Sequence, residues 1–173
     1  TEAERVNMHE LALSIVLTSQ GISFLHAGSE FLRSKKGVEN SFESPDSINA
    51  IDWSLKTKNK YVFDYVKALV KMRKEHPAFR MPTANLIGTT LQFEEGYPEG
   101  IFAYRINGKA SGDKWKMIFI LFNGTGEEKG LVVQAGQYDV AVSGNIFSDV
   151  TGGGKDGYLK LQPYTCTILY EKE

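Results

Sequence analysis

Seven residues able to hold hydroxyls or cations crowd one stretch of the chain: Glu30, Glu39, Asn40, Glu43, Asp46, Asn49 and Asp52. An ionised carboxylate accepts hydrogen bonds from two hydroxyls, and a primary amide both donates and accepts. Asp46 and Asn49 therefore suit the paired hydroxyls of a sugar ring. Asn40 offers a second amide, and His26 just upstream carries a ring that could touch sugar or move a proton. The same oxygens could serve calcium, which takes six to eight of them, but the segment lacks the spacing of an EF-hand loop. Such residues also gather in loops because their side chains bond nearby backbone. Sugar contact and loop architecture thus remain level alternatives, with calcium behind both. For His26, supporting the loop is the alternative to touching ligand. Three scattered histidines and the single Cys166 give no transition-metal spacing, so no metal or cofactor is expected. No two carboxylates can be named as an acid and nucleophile pair.

The flanking segments show how such a loop would be presented. Residues 22–25 form a short apolar run between Gly21 and Gly28, which reads as a parallel strand buried on both faces. In barrel folds the loop leaving the C-terminal end of such a strand carries ligand contacts. A helix is predicted before it over 3–19, opened by the capping-box spacing of Thr1 and Glu4. That helix is apolar over much of its circumference, which anticipates burial on more than one side. A second helix is predicted over 59–75, with Val62, Tyr65, Val66, Leu69 and Val70 on one face, ended by Pro77. His9 and His76 read as structural or exposed. Trp53 is expected to pack under the loop, and Trp115 to shield a β layer.

The wording of this block resembles the region of the eighth barrel strand in α-amylase-superfamily enzymes of glycoside hydrolase family 13, and within them the type I pullulanases. The resemblance is carried by Phe24-Leu25-His26-Ala27-Gly28, Glu30-Phe31-Leu32-Arg33, Asn40-Ser41-Phe42, Ser44-Pro45-Asp46-Ser47-Ile48-Asn49 and Ile51-Asp52-Trp53. Ser29 stands where an acidic residue is expected, and Phe42 stands where Tyr is usual and removes a hydroxyl. The resemblance implies retaining hydrolysis of α-1,6 bonds in pullulan and related glucans by the parent enzyme. It also implies that the loop contacts glucose on the non-reducing side of the cleaved bond, with Asp46, Asn49, Asn40 and His26 as candidate substrate contacts. In that family the catalytic Asp, Glu and supporting Asp lie on earlier barrel strands. None can be carried onto this chain, which is therefore expected to be inactive alone.

A complete (β/α)8 barrel takes roughly 250 residues, and the period here changes from 3.6 to 2 near Pro82. The predicted fold is α+β: a barrel remnant over 1–81, comprising the last helices, the eighth strand and its loop, followed by an antiparallel all-β sandwich over 82–173. Strands are expected at 86–94, 101–106, 116–122, 130–133, 138–142 and 164–170. Turns are expected at Asn107-Gly108 and Asn123-Gly124, and a hairpin tip at Gly152-Gly153-Gly154. Cys166 reads as a buried, inert thiol. Lys plus Arg (20) nearly balance Asp plus Glu (21), which provides no field for nucleic acid or anionic membrane and suits a neutral partner such as α-glucan. No apolar run approaches the roughly 20 residues of a membrane span, and the compartment is left unknown. Cut away from its neighbours, the remnant is expected to self-associate or to repack on the sandwich. A free carbohydrate-binding module and a purely structural β domain remain as alternatives.

Overall fold

The computed structural model describes residues 1–133, 138–150 and 158–172. Helix α1 (Glu2–Thr18) starts on the anticipated capping box, with the Thr1 hydroxyl accepting from Glu4 N and the Glu4 carboxylate reaching back to the backbone of Thr1. The amphipathic α4 (Lys60–Glu75) turns Val62, Tyr65, Val66, Leu69 and Met72 inward, the i, i+3, i+4 stripe of a one-sided helix. The two helices meet where Ser14 and Tyr65 share a 2.7 Å hydrogen bond. The C-terminal carbonyls of α1 need donors, and Arg73 supplies them. Its guanidinium donates to Leu17 O, Ser19 O, Gly21 O and Phe79 O at 2.6 to 3.0 Å. Short helices α2 (Asp46–Asn49) and α3 (Ser54–Lys58) lie between these two, and α5 (Ala84–Thr90) follows them.

Among the described residues eight strands follow: β1 (Leu91–Phe93), β2 (Ile101–Asn107), β3 (Trp115–Asn123), β4 (Lys129–Val132), β5 (Asp139–Ser143), β6 (Ile146–Val150), β7 (Tyr158–Leu161) and β8 (Thr165–Lys172). Six form an antiparallel sheet in the order β1-β2-β3-β8-β5-β6, and β4 pairs with β7 in a second, two-stranded sheet. The period-2 alternation of side chains gives the large sheet two cores. Tyr104, Ile106, Ile118, Ile120, Phe122, Val142, Cys166 and Ile168 pack with α1 and α4. The alternate residues Ala103, Phe119, Leu121, Val140 and Leu169 meet Leu131 and Leu161 of the small sheet. The order of layers is therefore helices, large sheet, small sheet. At about 1.5 to 3 kcal/mol for each fully buried large apolar side chain, both cores hold the sheet.

Two expectations are corrected. Residues 22–25 form no strand; Ile22 is fully exposed and Phe24 is 82% exposed, while Leu25 packs on the helix-side core. A strand needs a neighbour to pair its backbone, and among the described residues no strand pairs with this segment. Residues 86–94 are mostly helix α5, because the Thr83 side chain caps Leu86 N and the apolar pair Leu86 and Ile87 packs on the core as one turn; only 91–93 pair as a strand. The turn expected at Asn107-Gly108 is present and leads into a 3-10 turn at Lys109–Ser111 before β3. Strands β6 and β7 were not anticipated. The Gly152-Gly153-Gly154 hairpin tip lies outside the described residues. Among the described residues no helix is long and apolar enough to cross a membrane.

Candidate functional site

The acidic and amide residues share one well-connected loop. Gly28, at φ 93°, opens it. Its N–H donates to Glu30 Oε2 at 2.9 Å, and its carbonyl accepts from Phe31 N and Arg33 N. The 3-10 turn Ser29–Phe31 buries Phe31, whose carbonyl accepts from Asn59 Nδ2 at 3.0 Å. On the other side His9 Nε2 sits 2.6 Å from Ser29 O, so α1 and α4 both grip the start of the loop.

Its far end is held by two side chains. Arg33 donates to Ala27 O at 3.0 Å and to Asn49 O, and its Nε is buried without a partner among the described residues. Asn49 donates to Ser41 O and Ser44 O, both at 2.7 Å, and its Oδ1 accepts from Lys35 Nζ at 2.6 Å. Burial and the neighbouring Arg33 charge lower the Lys35 pKa. Lys36 Nζ reaches Ser47 O at 2.9 Å. At the close of the loop Asp52 accepts from the hydroxyl and N–H of Ser54, which lower its pKa.

The candidates therefore divide. Asp46 and His26 are exposed, with no side-chain partner among the described contacts. Asn40 is exposed, and its Oδ1 accepts from Phe42 N at 3.2 Å, leaving the amide donors available. Asn49 uses both donors within the loop and keeps one acceptor position. The expectation for Trp53 is corrected: it is 65% exposed, with its ring 5.8 Å from that of the buried Phe31. Phe42 is also exposed. The loop thus presents a carboxylate, an imidazole, an amide and two aromatic faces to solvent, a surface able to hydrogen-bond and stack on a sugar. Among the described residues no group of His, Cys, Asp or Glu is placed to hold a metal ion.

Sequence reasoning missed Arg33 and Lys35; the signal available was a glycine followed five residues later by an arginine in a turn-rich segment. It also missed two buried polar pairs. Asp113 accepts from His76 Nδ1 at 2.7 Å, Trp115 N at 2.9 Å and Ala78 N at 3.1 Å. Burial pushes the Asp113 carboxyl up, but these donors and the His76 charge outweigh it and leave the pKa lowered. Trp115 is sandwiched between His76 at 3.5 Å and Tyr170 at 4.1 Å, so both its faces are occupied and it is no platform for a sugar. Glu10 is 7% exposed on α1, and burial, partly offset by a hydrogen bond with Asn145, pushes its carboxyl up to about 7.

Residues 87–146 match the family model described as the pullulanase all-beta domain. A pullulanase of Bacillus subtilis (strain 168) is 38% identical over 120 residues, 69% of this chain and 17% of that protein. The solved pullulanase of Bacillus acidopullulyticus matches at TM-score 0.91 and 36% identity over 99% of this chain and 21% of its own. The Paenibacillus barengoltzii pullulanase in complex with maltohexaose and alpha-cyclodextrin matches at TM-score 0.88 and 36% identity, over 100% of this chain and 26% of its own. The chain thus spans about a fifth to a quarter of these solved proteins.

Proposed function

We propose that this chain, a segment of the pullulanase family, is the part of a debranching glycoside hydrolase that supplies a glucan-binding loop and a stabilising β domain. Residues 1–81 then derive from the end of the catalytic barrel, and 82–173 form the β domain. The observation that carries the reading is the correspondence with solved pullulanases over 99–100% of the chain, which takes in the loop as well as the sheet. In such a parent the exposed Asp46, His26 and Asn40, with the exposed Trp53 that closes the same loop, meet an α-glucan, and Asn49 shapes the loop and offers one acceptor position.

The chemistry of the parent follows the retaining route for α-1,6 bonds, with a nucleophilic carboxylate and a second carboxyl as acid and base roughly 5 Å apart. Those groups lie outside residues 1–173, so the chain alone does not hydrolyse glucan. The test is reducing-sugar release from pullulan by the purified chain and by a full-length parent. Activity in both would refute the division of labour, and inactivity of the parent would refute the debranching assignment.

A second reading has one observation in its favour. Phe93 and Phe102, at the β1–β2 edge of the large sheet, are 66% and 50% exposed with rings 5.5 Å apart, the kind of pair on which a carbohydrate-binding module stacks sugar. Affinity electrophoresis in pullulan gels, with Phe93→Ala and Phe102→Ala beside Asp46→Ala, separates the two. Retardation lost only in the Phe variants would favour the binding-module reading.

A further inference from the structure

We infer that Arg33 is a positioning residue whose guanidinium locks the two ends of the loop together and so sets where Asp46 is presented; this rests on the reading of the loop as glucan-binding. One side chain touches both ends. It donates to Ala27 O, just before the loop, and to Asn49 O, the last residue of α2. Asp46 is the first residue of that same four-residue helix, so the strut reaches Asp46 through a single turn of backbone. That turn closes through Ala50 N to Asp46 O at 2.8 Å and Asn49 N to Pro45 O at 3.0 Å.

The loop's backbone is shaped around the arginine. A Cβ added to Gly28 would lie 2.6 Å from Arg33 Cδ and 2.7 Å from Arg33 Cβ, contacts no side chain tolerates. At φ 93° the position also disfavours any L side chain. The glycine therefore does two things at once: it makes the turn, and it leaves room for the aliphatic stem of Arg33 to cross the backbone. Lys35 and Lys36 also reach α2, through Asn49 Oδ1 and Ser47 O, but each is a single point contact and neither reaches Ala27. A planar fork bridging two fixed carbonyls is a task for arginine, and a lysine would keep one contact at most.

The experiment uses a full-length enzyme containing this chain, with Arg33→Ala, Arg33→Lys, Asp46→Ala and the double variant Arg33→Ala/Asp46→Ala. If Arg33 acts through the presentation of Asp46, Arg33→Ala raises KM for pullulan about ten-fold with kcat within about two-fold, the pattern of lost uniform binding. The double variant is then no worse than the poorer single variant, the non-additivity of two residues acting through one contact, and Arg33→Lys recovers only part of the loss. Hydrogen exchange on the chain itself gives the independent readout: in Arg33→Ala the amides of Asn49 and Ala50 exchange at least about ten times faster while those of β3 do not change. Unchanged exchange at Asn49 and Ala50, additive KM effects, or full rescue by lysine would each overturn the positioning role. If Asp46→Ala raises KM and Arg33→Ala does not, the strut is wrong and the glucan-binding loop stands; if neither moves KM, both fall.

Discussion

The Glu10 contribution to stability is expected to fall as the pH rises from mildly acidic to neutral, opposite to the usual behaviour of a carboxylate. The side chain lies on the inner side of α1 beside Tyr65 and Asn145, and burial lifts its pKa from the ordinary 4.5 to about 7. A raised carboxyl pKa means that the folded chain holds the proton more tightly than the unfolded chain. The stabilisation is therefore complete below about 4.5 and is lost as the pH rises through about 7. A shift of about 2.5 units at 1.36 kcal/mol each is worth about 3 kcal/mol. Glu10 is 7% exposed but lines an open cleft with Asn7, Tyr65 and Asn145, so about 3 kcal/mol is an upper figure.

For a chain of this size about 3 kcal/mol corresponds to roughly 6–12 °C in Tm. The assay is thermal and urea unfolding of the wild type and Glu10→Gln at pH 5 and pH 8. Glutamine keeps the shape and the partner for Asn145 but cannot ionise, so the expected result is similar stability at pH 5 and a more stable variant at pH 8. Groups common to both proteins, including the three histidines, cancel in the difference. Parallel pH profiles for the two would refute the reasoning, since they would mean that Glu10 ionises without cost in its buried position.

Asp113→Ala removes a buried acceptor of three hydrogen bonds and strands His76, and should cost about 3–5 kcal/mol in urea unfolding. Asp46→Ala should leave stability within about 0.5 kcal/mol, as an exposed substitution does, while weakening transition-state binding in a full-length parent by about 1–3 kcal/mol in steady-state kinetics on pullulan. Exposed Ile22, Phe24, Met8 and Ile15 form apolar surface that should drive concentration-dependent self-association in light scattering, and Phe24→Ser should reduce it. Cys166, fully buried and with its thiol pushed up by burial, should react with a thiol reagent only on global unfolding.

The two long helices were legible in the sequence to within a residue at most ends, because capping, a 3.6-residue period and a following proline are local signals. The same holds for β2, β3, β4, β5 and β8, whose period-2 runs fall between turn residues. The loop's wording pointed to a carbohydrate-binding enzyme family before any fold was known. Residues 22–25 show the limit: their apolarity anticipates burial, but a strand exists only where another strand pairs with it, and pairing is not a property of one segment. The sequence of helix α5 misled for the opposite reason, since the Thr83 cap and one turn of core contact outweighed the β-branched residues Ile87, Thr89 and Thr90.

Within the loop, composition identified polar residues but not their tasks. Asp46, Asn49 and Asn40 read alike as candidates for hydroxyl recognition, and only the folded loop assigns Asn49's two donors to Ser41 O and Ser44 O while leaving Asp46 open. Arg33 was legible only as part of the family's wording and Glu10 not at all, because neither a strut between carbonyls 22 residues apart nor burial against a distant β turn leaves a periodic trace. Local backbone preference and hydrophobic period are written along the chain. Which polar groups face each other across long sequence separations is decided by packing, and there the tertiary structure had to supply the answer.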